Sequence, residues 1–249
     1  MRPKLPRPHI QMSAPVVHFC TFGSVPEYSR ALQTLTAEAH ASGYFATVSA
    51  YTQENLPTKS RERRFMETNR RGYGYWIWKG ILLEDMLSKV PEGDIVLYVD
   101  AGCGISTTPT ARANMAAWVS DCLTHPTHRL SFQMPHVAEV WTKADVFASL
   151  SATGDEYTKT GQHMATIQMY QNTPENRHFI QLYRAAMAAD NYSYVSDEPS
   201  RVANPACFKD HRHDQAILSI LFKLHGSANR EDHWRNPDFP IMALRRRGG

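Results

Sequence analysis

The sequence predicts an α/β fold, a mostly parallel sheet covered by helices on both faces. Three observations predict it. Short apolar runs bounded by glycine and proline alternate along the chain with stretches of helical period. Helices connect the first strand-like runs, which places those strands parallel. The length of 249 residues, 42% of them hydrophobic, supplies the core of one large domain and is short for two.

Residues 1–15 carry Pro3, Pro6 and Pro8 among basic residues and read as a disordered lead-in. Val16 to Phe22 is a first strand broken by Gly23-Ser24. Ser24 with Glu27 three on is a capping-box pattern, and Tyr28, Leu32, Leu35 and Ala39 fall on one helical face before Gly43. Tyr44 to Tyr51, rich in β-formers, is the second strand. Lys59 to Arg71 is a basic helix outside the core. Leu82, Leu83, Met86, Leu87 and Val90 keep helical spacing and lead into Ile95-Val96-Leu97-Tyr98-Val99, a buried strand bounded by Pro91-Glu92-Gly93 and Ala101-Gly102.

Thr110 to Leu123 is a helix and Arg129 to Met134 a short strand. Thr142 with Asp145 caps a short helix to Leu150, and Gly154 to Gly161 is a polar loop. Met164 to Asn172 is another strand, Pro174 to Ala189 a strong helix, and Tyr192 to Phe208 irregular. Asp214 opens a last helix ending at Gly226. One domain is expected over residues 16–240, with a disordered basic tail over 241–249.

The net charge of +3 is a weak bias toward anionic ligands and not a nucleic-acid signature, because the basic residues are scattered except at Arg61-Glu62-Arg63-Arg64, Arg70-Arg71 and Arg245-Arg246-Arg247. Cys20, Cys103, Cys122 and Cys207 stand singly, which suggests neither a zinc knuckle nor a disulfide framework. A reducing, cytoplasmic setting is expected. No signal-peptide core and no apolar run of membrane-spanning length is present in the sequence.

Asp100 stands where the Ile95 to Val99 strand ends, the place where open α/β sheets bind ligands. The same Asp100-Ala101-Gly102 also suits a plain turn. Tyr73, Tyr75, Trp76 and Trp78 offer flat faces for a base or sugar as well as ordinary core area. Lys79, fixed just after them, either points a compact cation at a phosphate or stands solvated in a first helical turn. Within His211-Arg212-His213-Asp214-Gln215, Asp214 is a candidate carboxylate for an acceptor hydroxyl and equally an apt N-cap. His213 and Gln215 are candidates for contact with sugar hydroxyls or phosphate, and Lys143 and Gln162-His163 for contact with donor or acceptor, although an isolated lysine most often faces water. The His213-Asp214 doublet also suits metal-dependent phosphohydrolases, but those are helical and need further His and Asp ligands.

Three blocks, taken together, resemble a family of small glycosyltransferases of large DNA viruses and bacterial polysaccharide loci. They are Arg71 to Lys79 with Tyr98-Val99-Asp100-Ala101-Gly102-Cys103; Glu139-Val140-Trp141-Thr142-Lys143-Ala144-Asp145; and His213-Asp214-Gln215-Ala216-Ile217-Leu218-Ser219. The likeness covers about residues 16–226. It implies the GT-A nucleotide-sugar fold, a nucleoside-diphosphate-sugar donor (a UDP-sugar first) and a glycan or other hydroxyl acceptor. It also implies that Thr21, Phe22 and Gly23 lie at the nucleotide, that Trp78, Lys79, Gly102 and Lys143 lie at the donor, and that Asp100 and Asp214 are the catalytic carboxylates. In that fold an Asp-x-Asp motif holds Mn²⁺ or Mg²⁺ against the diphosphate. Here the third position is Gly102, so Asp100 must hold the ion with water, phosphate or a distant residue, or the ion must be dispensed with. A non-catalytic module that binds nucleotide sugar or glycan is the alternative.

Overall fold

The computed structural model describes residues 14–232 and 236–246. Apart from Ala14 and Pro15, the expected lead-in lies outside the described residues. In chain order the elements are β1 (Val17–Phe22), α1 (Ser29–Ser42), β2 (Thr47–Tyr51), α2 (Ser60–Thr68), a single turn α3 (Gly72–Tyr75), α4 (Trp78–Lys89), β3 (Ile95–Val99), β4 (Gly104–Ile105) and α5 (Pro109–Thr124). They continue with β5 (Arg129–Val137), α6 (Ala144–Ser149), α7 (Asp155–Thr158), β6 (Gly161–His163), β7 (Ile167–Gln171), α8 (Pro174–Ala188), α9 (His213–His225), β8 (Ala228–Glu231) and β9 (Ile241–Met242).

A seven-stranded sheet runs β2-β1-β3-β7-β5-β6, with β8 beside β5. β2, β1 and β3 are mutually parallel and β8 is parallel to β5, whereas β7 opposes both β3 and β5 and β6 opposes β5. Five strands therefore point one way and two the other. The two reversed strands, β6 and β7, follow β5 in the chain and pair with it on either side.

Strand alternation divides the core. Phe19, Ile95, Leu97 and Val99 join Leu35 of α1 and Met115, Trp118 and Cys122 of α5 on one face. Cys20, Phe22, Val96 and Tyr98 join α4, α8 and α9 on the other. Helices thus cover both faces, and each side packs an apolar stripe worth roughly 25 cal/mol per Å² removed from water.

Four local expectations differ from what is found. α1 begins at Ser29 with Tyr28 before it, not at the Ser24–Glu27 pattern, because Pro26 and the Tyr28 N–H to Ser24 carbonyl bond close a separate turn first. The stretch Gly154 to Gly161, read as a polar loop, holds the helical turn α7 and runs into a short, largely buried strand, β6. Arg212, not Asp214, precedes α9, so Asp214 sits inside its first turn. Ile241 to Arg246, read as part of a disordered basic end, instead pack on the loop after β3: Gly104 and Ile105 pair with Met242 and Ile241, and the Arg246 N–H donates to the Gly102 carbonyl at 2.9 Å.

The turn before α4 is left-handed over five consecutive residues, with φ of 56° at Gly72, 49° at Tyr73, 80° at Gly74, 52° at Tyr75 and 63° at Trp76. For a side-chain-bearing residue this costs about 1–2 kcal/mol each. Backbone bonds from Gly74 N–H to the Asn69 carbonyl (2.7 Å) and from Tyr75 N–H to the Arg71 carbonyl (2.8 Å) offset it. So do the rings, with Tyr73 and Trp78 both stacked on Phe22. A Cβ at Gly74 would lie 2.6 Å from Met66 Cγ and 2.7 Å from its Cα. Gly74→Ala is therefore expected to destabilise the protein by about 1–3 kcal/mol in urea unfolding.

Candidate functional site

Three elements deliver one charged cluster. β3 carries Asp100 at its carboxyl end, the first turn of α4 carries Lys79, and the first turn of α9 carries Asp214. The Lys79 ammonium lies 3.2 Å from Asp100 Oδ1 and 3.0 Å from Asp214 Oδ2, and donates to the Ala165 carbonyl at 3.1 Å. An ammonium has three N–H donors, and each here has a partner. The Lys79 and Asp214 side chains are 3% and 5% exposed, whereas that of Asp100 is 31% exposed. Asp100 is the member that faces outward.

A second layer holds the cluster. The Tyr98 hydroxyl donates to Asp100 Oδ1 and the Tyr183 hydroxyl to Asp214 Oδ2. Gln168 Nε2 donates to the same Ala165 carbonyl at 3.0 Å, and Gln168 Oε1 accepts from the Tyr170 hydroxyl at 2.8 Å. Burial pushes both Tyr98 and Tyr183 well above the usual phenol range, helped by the neighbouring carboxylates, so both remain donors.

Burial alone would lower the Lys79 ammonium, but Asp100 and Asp214 outweigh it and hold it above its usual value. Burial raises Asp214 from an ordinary 3.8 to about 6, against the opposing pull of Lys79. A carboxyl raised on folding binds its proton more readily in the native state, so its contribution favours folding below pH 4 and is lost as pH rises toward 6. The stability of the native protein relative to Asp214→Asn is accordingly expected to decline between pH 4 and 6 and to level off above it. Denaturant midpoints of both proteins across that range check this.

The other expected site residues fall into two groups. Phe22 and Trp78 are buried with their rings stacked on each other at 4.1 Å, and the Trp78 indole donates to the Gly72 carbonyl. They pack as core rather than present a ring face. Thr21 is fully buried and its Oγ1 has no hydrogen-bond partner; Gly23 follows it with its N–H on the Tyr51 carbonyl. Gln162 and Gln215 bond each other at 2.9 Å, and Gln162 also donates to Thr142 Oγ1 and the Trp141 carbonyl. The Gln215 Oε1 reaches the Ala165 N–H at 3.5 Å, which ties this pair to the back of the cluster.

Lys143 is likewise buried and spends its donors on the carbonyls of Ser193, Ser196 and Glu198, so it ties down that loop and has none left for a donor sugar. His213 lies beside the rings of Tyr75 and Trp76, with Nδ1 on the Val195 carbonyl and a buried Nε2 that has no hydrogen-bond partner and lies 3.8 Å from Asp197 Oδ1. His163 bonds Ser131 through Nδ1, and burial lowers it to about 4, so it is neutral at physiological pH. Neither reading of Lys79 as a solvated side chain nor of Asp214 as a helix cap survives this geometry.

Sequence reasoning missed Tyr98, Tyr183, Gln168 and the Ala165 carbonyl. Tyr98 had a signal: it precedes Asp100 by two residues in a strand and therefore shares its face. Tyr183 had none, since it sits in the apolar stripe of α8 like any core aromatic.

A divalent ion does not fit these residues. Asp100 Oδ1 is already shared by a phenol and an ammonium. A Cβ on Gly102, where a second carboxylate would begin, would lie 3.1 Å from the Arg246 carbonyl oxygen and 3.5 Å from Arg245 Cα. Among the described residues no three His, Cys, Asp or Glu side chains are grouped for a metal.

The fold and cluster define an α/β protein with a carboxylate-ammonium-carboxylate triad at the carboxyl end of its parallel strands. No family model matches the chain, and no curated protein matches it. Its structural neighbours are glycosyltransferases. The galactosyltransferase LgtC, in complex with donor and acceptor sugar analogues, is similar at 14% identity over 85% of this chain and 72% of that one, with a TM-score of 0.47. Mouse xyloside xylosyltransferase 1 in its apo form gives 11% identity, 87% and 85% coverage and 0.45. A glycosyltransferase involved in glycosylation of the major capsid of PBCV-1 gives 10%, 92% and 94%, and 0.45. No residue role passes from them to this chain. Among the described residues no helix is long and apolar enough to cross a membrane.

Proposed function

We propose that this protein transfers a sugar from a nucleoside-diphosphate donor, a UDP-sugar first, to a hydroxyl on a glycan or glycoprotein. The observation that carries the reading is the Asp100-Lys79-Asp214 cluster, whose one outward carboxylate stands at the ligand-binding end of the parallel strands. In the reaction the bond from the anomeric carbon to the diphosphate breaks, a bond to the acceptor oxygen forms, and the acceptor proton must leave. Asp100 is the group placed to accept that proton or to orient the hydroxyl. Lys79 and Asp214 act through it as positioning residues, since neither has a free polar face. The Thr21-Phe22-Gly23 edge supplies backbone for the nucleotide. A reducing, cytoplasmic setting accords with the free cysteines, of which Cys20, Cys103 and Cys122 are buried.

A thermal-shift screen of UDP-, GDP-, CDP- and TDP-linked sugars tests the reading. One nucleotide class is expected to raise the melting temperature, and a ligand at a hundred times its Kd stabilises by about 2.7 kcal/mol. Absence of any shift from all four would count against the proposal.

The second reading is a module that holds the nucleotide sugar without transferring it. The observation favouring it is Gly102, which carries no carboxylate and is covered by Arg245 and Arg246. Such a module shows the thermal shift but releases no nucleoside diphosphate.

A further inference from the structure

The amino ends of the parallel strands, opposite the triad, hold a buried cation of their own. Arg129 opens β5 and pairs with Tyr170 of β7, which on its other side pairs with Val96 near the start of β3. Asp100 follows the far end of that strand. Residues directly opposite in a sheet share a face, so the Arg129 side chain enters the layer of α8 and α9, and its guanidinium lies 4.1 Å from the centre of the Phe179 ring.

Arg129 is 5% exposed. Its Nε donates to the Thr127 carbonyl at 3.4 Å, while Nη1 is buried with no hydrogen-bond partner. Among the described residues no carboxylate forms an ion pair with it. Lys79, equally buried, has two. A buried charge is ordinarily paired, because only a close counter-charge offsets its desolvation. Burial pulls the guanidinium below its usual range. An arginine is not discharged inside a protein, so the positive charge stays.

The cation stands at the wall of an open pocket of about 380 Å³, lined by Pro126, Thr127, His128, Arg129 and Glu175. That volume lies in the range of small-molecule sites, about 300–1,000 Å³. The wall is fixed by its backbone. The His128 carbonyl accepts from Asn176 Nδ2 at 2.7 Å and from the Gln171 N–H at 2.9 Å, and His128 Nδ1 donates to the Leu123 carbonyl at 3.1 Å. The Thr127 N–H donates to His125 Nδ1 at 3.2 Å. Glu175, the one carboxylate among the lining residues, is turned to its own backbone N–H and the Thr173 hydroxyl, and these bonds hold it below the usual carboxylate range.

We infer that this pocket is a second ligand site, which takes the phosphate or carboxylate group of a small molecule against the Arg129 guanidinium. The guanidinium fork suits two oxygens of such a group. Packing on Phe179 and the bond to Thr127 hold it in place beforehand, so little freedom is lost on binding. The site lies at the opposite end of the sheet from Asp100 and does not depend on the nucleotide-sugar reading.

The test is thermal unfolding of the full chain with inorganic phosphate, glucose 1-phosphate, glucuronate and uncharged glucose, each against potassium chloride of equal ionic strength. At ten times its Kd an anion is expected to raise the melting temperature by about 3–6 °C, and glucose is expected to leave it unchanged. Arg129→Met keeps the packing of the stem and removes the charge. It is expected to lose the shift, whereas a general salt effect would persist in it. If Arg129→Met does not fold, Glu175→Gln takes its place: it removes an exposed negative charge from the wall and is expected to tighten anion binding about threefold.

Inorganic phosphate that binds as tightly as glucose 1-phosphate assigns the site to the free ion, and tighter binding of glucose 1-phosphate assigns it to a phosphorylated small molecule; either supports the inference. A stronger response to glucuronate supports it with a carboxylate as the ligand group. No shift from any of the three anions overturns it. So does a shift that survives in Arg129→Met, or an anion affinity that Glu175→Gln leaves unchanged.

Discussion

Lys79→Met is expected to lose about 3–5 kcal/mol of unfolding free energy at pH 7.5, the largest effect of any single substitution in this account. The reason lies in what it leaves behind. Asp214 is 5% exposed and its Oδ2 faces Lys79 and the Tyr183 hydroxyl. Without the ammonium, a buried carboxylate keeps only the Tyr183 phenol and the Gln215 backbone N–H, while methionine preserves the packing of the stem. Asp214 escapes the penalty by taking up a proton, so the loss is expected to shrink at pH 5. Adding Asp214→Asn to Lys79→Met removes the orphaned charge and is expected to recover part of the stability, with a coupling of about 0.5–3 kcal/mol. Urea unfolding of the two single variants and the double variant at both pH values measures each term. A double variant as unstable as the sum of its parents would mean that the two side chains do not act as a pair.

Asp100→Asn is expected to behave in the opposite way. Its side chain is 31% exposed, and an asparagine oxygen can still accept from Tyr98. The stability change is expected to stay within about 1 kcal/mol. Turnover is expected to fall about 10² to 10⁴-fold, the range general-base assistance supplies, while the thermal shift with donor persists because binding and proton acceptance are separate tasks. Asp214→Asn disturbs stability more and turnover less, since its oxygens serve Lys79 and not a substrate. A native-like rate for Asp100→Asn would remove Asp100 from the reaction.

The contrast between these two carboxylates marks the limit of what the sequence makes legible. Asp100 could be found because a strand end is visible locally: five apolar residues, Ile95 to Val99, then a carboxylate and a glycine. The same period reasoning finds α4, α8 and α9, whose apolar faces do pack in the core. Lys79 was ambiguous because a lysine in a first helical turn is ordinarily solvated, and its burial depends on two acidic residues delivered by distant parts of the chain. The same holds for Lys143, whose three carbonyl partners lie in an irregular stretch with no periodicity to read.

The tail was misread for a related reason. Ile241 to Arg246 has a basic, unpatterned composition that suggests a loose end, yet the pairing of β9 with β4 depends on glycines at 102 and 104 leaving room for it. Complementarity between two segments so far apart is not written in either one. The antiparallel entry of β7 is similar, since its five residues alternate no differently from those of a parallel strand.

Release of nucleoside diphosphate is the measurement that bears most directly on the account. The full chain is incubated with UDP-, GDP-, CDP- and TDP-sugars, with and without a mixture of glycan acceptors, in EDTA and in Mn²⁺, beside Asp100→Asn. One donor class is expected to yield nucleoside diphosphate, faster with acceptor present, and Asp100→Asn to slow that release about 10² to 10⁴-fold. Donor binding by the native protein with no release under any of these conditions would contradict it and leave a nucleotide-sugar binding protein in its place.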